Sequence, residues 1–388
     1  MPKKISGHGR IRRDYLSFGR PNFSAKEISA VVGVLKGGWI GMGGEVIAFE
    51  NELSKFIGAP HVVTVNSCTS ALFLALKLHG VGAGDDVVVP SLTWCSTANA
   101  ALYLGARPVF CDVDPTTLCA TPQTVQAALT PRTKAAIIVH YGGRGIDADA
   151  VRAALPTGVA LIEDAAHAFG ARYPGGKRVG SSGNITCFSF YANKNLSTGE
   201  GGALALFNSG QADRARSLRQ HGLPIDAWKR FTNPQAKFLN VGLDELGYKM
   251  NYTDLQAAIG RVQLRRQPEL AKRRLQIARL YEREIPRLSP RFELLTGQTE
   301  VEHARHLFVV KYPLDARKSR DEFFLELRKR NVGISIHYAP LHRMKLYGAT
   351  ADLPNTTAAA GRILTLPMSS SMTVKDAEYV VAMMRDCL

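Results

Sequence analysis

The stretch SFYANKNLSTGEGG, residues 189–202, sets Lys194 between two asparagines and ahead of a glycine-rich run. A lysine there is either a solvated loop residue or a nucleophilic amine held at a strand end, and the glycines beside it do not decide. Ser189, five residues earlier, offers a hydroxyl of the kind that donates to phosphate. Asp164 closes the apolar run VALIED, and a carboxylate buried there must be paired. His167 follows three residues later, about one turn on if a helix begins there, in which case Asp164 could simply cap it. Asn66-Ser67-Cys68-Thr69-Ser70 places small hydroxyl residues at an expected helix start. That suits either plain N-capping or an anion held by free N–H groups. Trp94 could stack on a flat ring, or be a partly buried core or interface tryptophan.

The elements that must position these groups follow from hydropathy patterning. From about residue 25 to 265, short apolar runs alternate with amphipathic segments, as in βαβ units. HVVTV (61–65), DVVVP within 86–94, PVFCDVD (108–114), KAAIIVHY (134–141), VALIEDAA (159–166), NITCFSF (184–190) and GALALF (202–207) read as strands. Their near-continuous Val/Ile/Leu content predicts strands covered on both faces, hence a mainly parallel sheet. Ligands of such sheets gather at the carboxyl ends of the strands, where the residues above fall. Residues 222–250 have weak periodicity, and an irregular stretch of that length points to a functional loop. A long helical pattern from about Thr253 to Leu280 follows. Beyond it come strands HLFVVKYPL (306–314), GISIHY (333–338) and LTLP (364–367), with helices opened by capping-box spacings at Ser319–Glu322 and Thr373–Asp376. The expected organisation is an N-terminal arm (1–24), a large α/β domain (25–265) and a smaller α+β C-terminal domain (266–388).

A phosphate cradle, a flat-ring stacker, a buried acid and a lysine on one sheet edge together describe a site for pyridoxal phosphate. The phosphate would lie at the helix N-terminus, the acid on the ring nitrogen, and the lysine would form the Schiff base. Over essentially its whole length the chain resembles the DegT/DnrJ/EryC1/StrS family of pyridoxal-phosphate-dependent sugar aminotransferases, of transferase fold type I. The resemblance rests on SFYANKNLSTGEGGAL, EDAAHAFGA, VNSCTSALFLAL, GYKMNYTDLQAAIGRVQL, GWIGMGGEVIAFENEL and HYAPLHRMKLY, in that family's places. It implies that Lys194 joins the cofactor, Asp164 pairs with the protonated ring nitrogen, Trp94 lies over one ring face and His167 sits near the ring hydroxyl. It further implies that Cys68, Thr69 and Ser189 hold the phosphate, with Asn251 of the neighbouring subunit completing the site in a homodimer. His337, Tyr338 and His342 would lie near the sugar-nucleotide entrance. The chain departs from the usual family pattern at Cys68, where Gly or Ala is common, at Tyr191, where His is common, and at Asn193. A lysine at 194 argues against the deoxysugar dehydratases, which carry histidine there. The stretches PSLTWCSTANAALYLGA, TPRTKAAIIVHYGG and RQHGLP look most like enzymes aminating C4 of UDP- or GDP-linked keto-sugars, with glutamate as donor. C3-keto-sugar and cyclitol aminotransferases share the same motifs. A DNA-binding regulator with a degenerate form of this fold is the remote alternative.

Composition bounds the rest. The chain has 388 residues, 45% hydrophobic and 21% charged, as expected of a globular protein with a sizeable core. No apolar stretch is long enough to span a bilayer, and the basic N-terminus lacks the apolar segment of a secretory signal. Its six cysteines show no CxxC pair and no metal-ligand spacing, so they read as reduced residues of a cytoplasmic protein that binds no metal. The formal charge of +16 concentrates in the N-terminal KK…RIRR and at 261–276, but aromatics are not interleaved with those clusters as a base-stacking surface requires. Nucleic-acid binding is therefore not expected, and the charge serves solubility and the encounter with anionic substrates.

Overall fold

The computed structural model describes residues 11–223, 243, 245–289, 291–295, 303–348 and 351–388. The sequence-expected strands of the first 265 residues assemble into one sheet: β1 (His61–Val65), β2 (Asp86–Pro90), β3 (Arg107–Cys111), β4 (Thr133–Val139), β5 (Ala160–Asp164), β6 (Ile185–Ser189) and β7 (Gly202–Leu206). The order is β1-β7-β6-β5-β4-β2-β3. Neighbours from β6 to β3 run parallel, whereas β7 runs antiparallel to both β6 and β1. The carboxyl ends of β1 to β6 and the start of β7 therefore share one edge. β2, β6 and β7 are buried along their whole length, because helices cover both faces of the sheet. Cys68–Leu78 is one such helix; its apolar residues Leu72, Leu74 and Leu76 are fully buried beneath the sheet.

A second sheet, β8 (Glu293–Leu294), β9 (Phe308–Lys311) and β10 (Ile363–Leu366), is antiparallel in the order β10-β9-β8. It packs with the helices Gln267–Leu288, Arg320–Lys329 and Val374–Cys387 around a separate apolar cluster. Both predicted capping boxes form: Ser319 with Glu322, and Thr373 with Asp376. The N-terminal arm joins this cluster through buried Leu16.

Two expectations need correction. The helical pattern from Thr253 forms two helices, Asp254–Arg265 and Gln267–Leu288, broken at Arg266, with Pro268 in the first turn of the second, and it runs on past Leu280. A proline belongs in a first turn, where its missing N–H costs nothing. GISIHY does not form a strand. Its neighbour Val332 pairs with Leu16 of the arm, Ser335 pairs with Thr365, and the chain then leaves the sheet. The Leu16 carbonyl accepts from Gly333 N at 2.8 Å, and a Cβ on Gly333 would lie 2.3 Å from that oxygen. The arm thus takes the Gly333 N–H, and pairing with β10 is confined to Ser335, which exchanges both bonds with Thr365. The loop expected at 222–250 lies mostly outside the described residues. Among those described, no helix is long and apolar enough to cross a membrane.

The second sheet is tied to the first by a short strap. Ala304 N donates to Gly143 O (2.8 Å), and the Gly142 carbonyl accepts from both His306 N (3.1 Å) and Leu307 N (3.0 Å). Gly143 has φ +104°, and a Cβ there would lie 3.0 Å from His167 O and 3.1 Å from His306 N. Only glycine lets the strap lie this close.

Candidate active site

A cavity of about 480 Å³ opens at the shared sheet edge. Its wall includes Cys68, Thr69, Trp94, Asp164, His167, Ser189, Lys194, His337 and Tyr338. Residues spread over some 270 positions meet here because each follows a strand end or, for His337 and Tyr338, the segment that leaves the small sheet.

After β1, Ser67 caps the helix Cys68–Leu78: its Oγ accepts from Ser70 N (3.1 Å), and Ser70 Oγ donates to Asn66 Oδ1 (2.6 Å). The cap is therefore Ser67, while Cys68 and Thr69, the first two helical residues, line the cavity. A helix start of this kind is favourable for an anion. A Cβ on Gly202 would lie 2.6 Å from the Cys68 nitrogen, so a glycine there lets β7 begin against the helix start. Trp94, after β2, is 61% exposed and has its ring 5.9 Å from that of Tyr338. It is a wall of the cavity and not a core residue.

Asp164, at the end of β5, is buried. Its Oδ2 accepts from the Thr97 hydroxyl (2.8 Å) and its Oδ1 from Ala166 N (3.1 Å). No helix follows it; residues 165–170 make turns, so the capping alternative does not hold. Burial pushes its carboxyl above the ordinary range, against the pull of two hydrogen bonds and the Lys194 charge. His167 is bonded on both sides: Nδ1 accepts from Gly142 N (3.3 Å), and Nε2 lies 2.9 Å from Tyr338 Oη. An accepting Nδ1 leaves the ring proton on Nε2, donating to Tyr338. Burial, then the Lys194 charge, holds this imidazole neutral, well below its usual range.

Lys194 lies in the turn between β6 and β7, its N–H donating to Tyr191 O (2.9 Å). Its Nζ lies 3.4 Å from His306 Nε2. Burial pulls the ammonium down to about 8, although the negative forms of Cys68 and Asp164 nearby favour its charge. Ser189 ends β6 in the cavity wall, its Oγ accepting from Tyr191 N at 3.4 Å. His337 is fixed by Thr365 Oγ1 at 2.9 Å from its Nδ1, and burial lowers it to about 4. Tyr141 donates its hydroxyl to the His337 carbonyl.

His342 and Asn251 do not line this chain's cavity, Asn251 being expected at the neighbouring subunit's site. His342 is outside this cavity; its N–H donates to Ser91 Oγ (3.0 Å), and that hydroxyl lies 2.7 Å from His342 Nδ1. It thereby holds the 341–343 turn against the end of β2. Asn251 is also absent from the wall. Its Nδ2 is 3.9 Å from Met42 Sδ, and its buried Oδ1 has no partner among the described residues.

Sequence reasoning missed Thr97 and His306. Thr97 lies in the first turn of the helix Cys95–Leu102, so its bond to Asp164 joins a helix start to the end of β5, which only the sheet brings together. His306 heads an apolar strand 112 residues beyond Lys194, and a polar residue in that place gives no signal of its own.

The arrangement fits the pyridoxal phosphate expected from the motifs. The Asp164 carboxylate is buried against a hydroxyl and an amide, and a protonated ring nitrogen would give it the charge partner it lacks in that pair of contacts. The helix start suits the phosphate, and the Lys194 amine, its charge disfavoured by burial, suits attack on a carbonyl.

Comparison with known proteins agrees. A family model described as the DegT/DnrJ/EryC1/StrS aminotransferase family matches residues 21–385. The chain is 42% identical over 388 residues to the spore coat polysaccharide biosynthesis protein SpsC of Bacillus subtilis (strain 168), covering 97% of each. Its fold is similar to the aminotransferase TlmJ from Streptoalloteichus hindustanus, with TM-score 0.86 and 33% identity over 96% of this chain and 98% of that one. It is equally similar to the putative sugar aminotransferase Spr1654 from Streptococcus pneumoniae in its PLP-form, with TM-score 0.87 and 28% identity over 96% and 98%. This chain belongs to the DegT/DnrJ/EryC1/StrS aminotransferase family and is a pyridoxal-phosphate-dependent aminotransferase.

Proposed function

We propose that this enzyme moves an amino group from an amino acid, glutamate in the simplest case, onto C4 of a nucleotide-linked keto-sugar, and that it does so as a homodimer with shared sites. The observation that carries the reading is the pairing, in one cavity, of a lysine amine eased toward neutrality with a buried carboxylate. A sugar acceptor is supported by relatives: SpsC is named for polysaccharide biosynthesis, and Spr1654 is titled a putative sugar aminotransferase.

Bound in this cavity, pyridoxal phosphate supplies the carbonyl that amines attach to and the ring that takes up electrons when a C–H proton leaves. Lys194 is the residue that attaches to it. Freed when the donor takes its place, Lys194 Nζ would be the base that removes the donor's α-proton and delivers it, at short range, to the cofactor carbon that the amine is bonded to, so that the amino group stays with the cofactor. The Asp164 carboxylate would hold the proton on the ring nitrogen. Cys68, Thr69 and Ser189 bind the phosphate through N–H and hydroxyl groups, and Asn251 reaches the same phosphate from the other subunit. Trp94 closes one face of the ring, and His167 lies beside its hydroxyl. His337 and Tyr338 form the wall that meets the sugar. On this reading residues 25–265 are the cofactor-binding domain and 266–388 the smaller domain.

The test uses the purified holoenzyme with glutamate and a panel of UDP-, GDP- and dTDP-linked keto-sugars, with the position of the new amine fixed by NMR. Amination at C4 of one of them is the expected result; product at C3, or activity only on a cyclitol, overturns the C4 assignment. Lys194→Ala should lose both turnover and the visible absorbance that borohydride bleaches.

A further inference from the structure

The strap that ties the second sheet to the first carries a histidine into the site. Its surroundings fix which ring nitrogen faces the lysine. Asn195 Nδ2 donates to Ala304 O at 2.7 Å, and a carbonyl can only accept, so the amide is not free to flip. Asn195 Oδ1 must then face His306 Nδ1, 3.2 Å away. An amide oxygen only accepts, so Nδ1 carries the ring proton and Nε2 presents a bare lone pair. Lys194 Nζ lies 3.4 Å from that lone pair, its one hydrogen bond among the described residues. The carbonyl of Asn195 is itself held by Gln267 Nε2 at 3.0 Å, and the His306 backbone by Gly142 O. Every group in the chain of bonds is thus buttressed from an element other than its own.

We propose that His306 is a positioning residue for Lys194: its fixed Nε2 lone pair receives a hydrogen bond from the amine whenever Lys194 is not joined to the cofactor. This rests on the reading that Lys194 is the attaching amine. The acceptor stays an acceptor across the working pH range. Facing His306 are Lys194 from the β6–β7 turn, His167 from the turn after β5, Arg274 from the helix Gln267–Leu288 and His337 from the segment beyond residue 332. All four oppose a further positive charge, and burial opposes it more, so the imidazole remains neutral. The His306 ring is itself packed against that of His167, with centroids 4.6 Å apart. In functional terms the amine waits in one place, retaining its proton longer than burial alone would allow.

An acceptor that bonds an ammonium favours the charged form, so removing it should ease proton loss. The experiment follows trace acylation of Lys194 by acetic anhydride in the apoenzyme between pH 6 and 10, read by peptide mass spectrometry. It compares wild type, His306→Gln and His306→Phe. The phenylalanine variant should show its midpoint lower by about one unit, about tenfold in acid dissociation, the size of one hydrogen bond to a charged group. The glutamine variant, whose side-chain oxygen can accept in the same place, should stay within about 0.3 unit of wild type on the same scale. An unchanged midpoint in His306→Phe, or an equal shift in both variants, overturns the proposal. Should His306→Phe fail to fold, the ring tautomer decides: 15N-histidine NMR of wild-type apoenzyme is expected to show Nδ1–H, and a protonated Nε2 overturns it. Because these readouts need no cofactor, they are independent of borohydride bleaching in Lys194→Ala, which tests the underlying reading by itself.

Discussion

An amine whose charge is disfavoured by burial should capture its aldehyde partner at a pH where ordinary lysines barely react. Lys194 is pulled from 10.5 to about 8. At pH 7 about a tenth of the apoenzyme would then carry the free amine, against about one part in 3,000 for an unperturbed lysine. The difference is about 300-fold in reactive form. The perturbation is pH itself, applied to apoenzyme mixed with pyridoxal phosphate in a stopped-flow instrument, with the rise of the visible band as signal. The sign follows from the neutral form being the nucleophile: the rate should climb with pH below 8 and flatten above it. The phosphate of the ligand has its own ionisation near pH 6, so the rise is read from pH 7 upward, about fivefold between pH 7 and 8 and less than twofold from there to the plateau. His167, His306 and His337 are all held neutral well below that window and add no second limb. A rate still climbing tenfold per unit at pH 10 would refute the assignment of burial as the dominant effect at Lys194.

Asp164→Asn keeps the size of the side chain, so thermal stability should change little while turnover falls about 10²–10³-fold, the usual loss for one buried electrostatic partner at a reacting site; turnover within threefold of wild type would count against its role. Gly143→Ala forces a Cβ to within 3.0 Å of His167 O and 3.1 Å of His306 N at a positive φ, and should lower stability by about 1–3 kcal/mol in urea titrations. Asp86 is 1% exposed, bonded to Arg107 and Thr130, and held at about 2. A depressed carboxylate contributes stability above its unfolded value that is lost as pH falls through its folded one. Asp86→Asn should therefore be less stable than wild type at pH 7, and the gap should close between pH 4 and 2; a pH-independent gap refutes the charge-based account. Mixing Lys194→Ala with Asn251→Ala subunits should restore activity above either parent if sites are shared between subunits, and no gain would argue against a shared site.

The residues that end strands were legible because a doubly covered strand announces itself by its unbroken apolar run, and whatever polar residue stops the run lies at the sheet edge. That logic located Asp164, Ser189 and Cys68–Thr69 without any knowledge of strand order. It was blind to direction: nothing in GALALF shows that β7 runs antiparallel between β1 and β6, since a buried strand has the same composition either way. GISIHY looked like a strand because alternation is a local property, whereas a strand needs sustained pairing, and here the arm bonds Gly333 while only Ser335 pairs with β10. The His306–Asn195–Ala304 chain was illegible for the opposite reason. Each link is an ordinary polar side chain, and its meaning lies wholly in a strap between two sheets. That His342 bonds Ser91 and does not line the cavity was illegible because a motif conveys neighbourhood, while that partner comes from 251 positions away.

The reversal of β7 has a consequence for the cost of the attachment proposed at Lys194. Cys68, Thr69 and Trp94 follow strands that feed long crossovers, but Lys194 sits on a connection whose two ends are adjacent, hydrogen-bonded strands, with Ser189 opposite Gly202. Phe190 and Gly201 continue the ladder (2.8 Å), Thr198 N returns to Phe190 O (2.9 Å), and Tyr252 and Gln267 pin the interior of the loop. Little conformational freedom is left in that segment to lose. Attachment of a ligand to Lys194 therefore draws on almost none of its binding energy for ordering the chain, and the affinity that the phosphate contacts generate stays available for holding the ring in line.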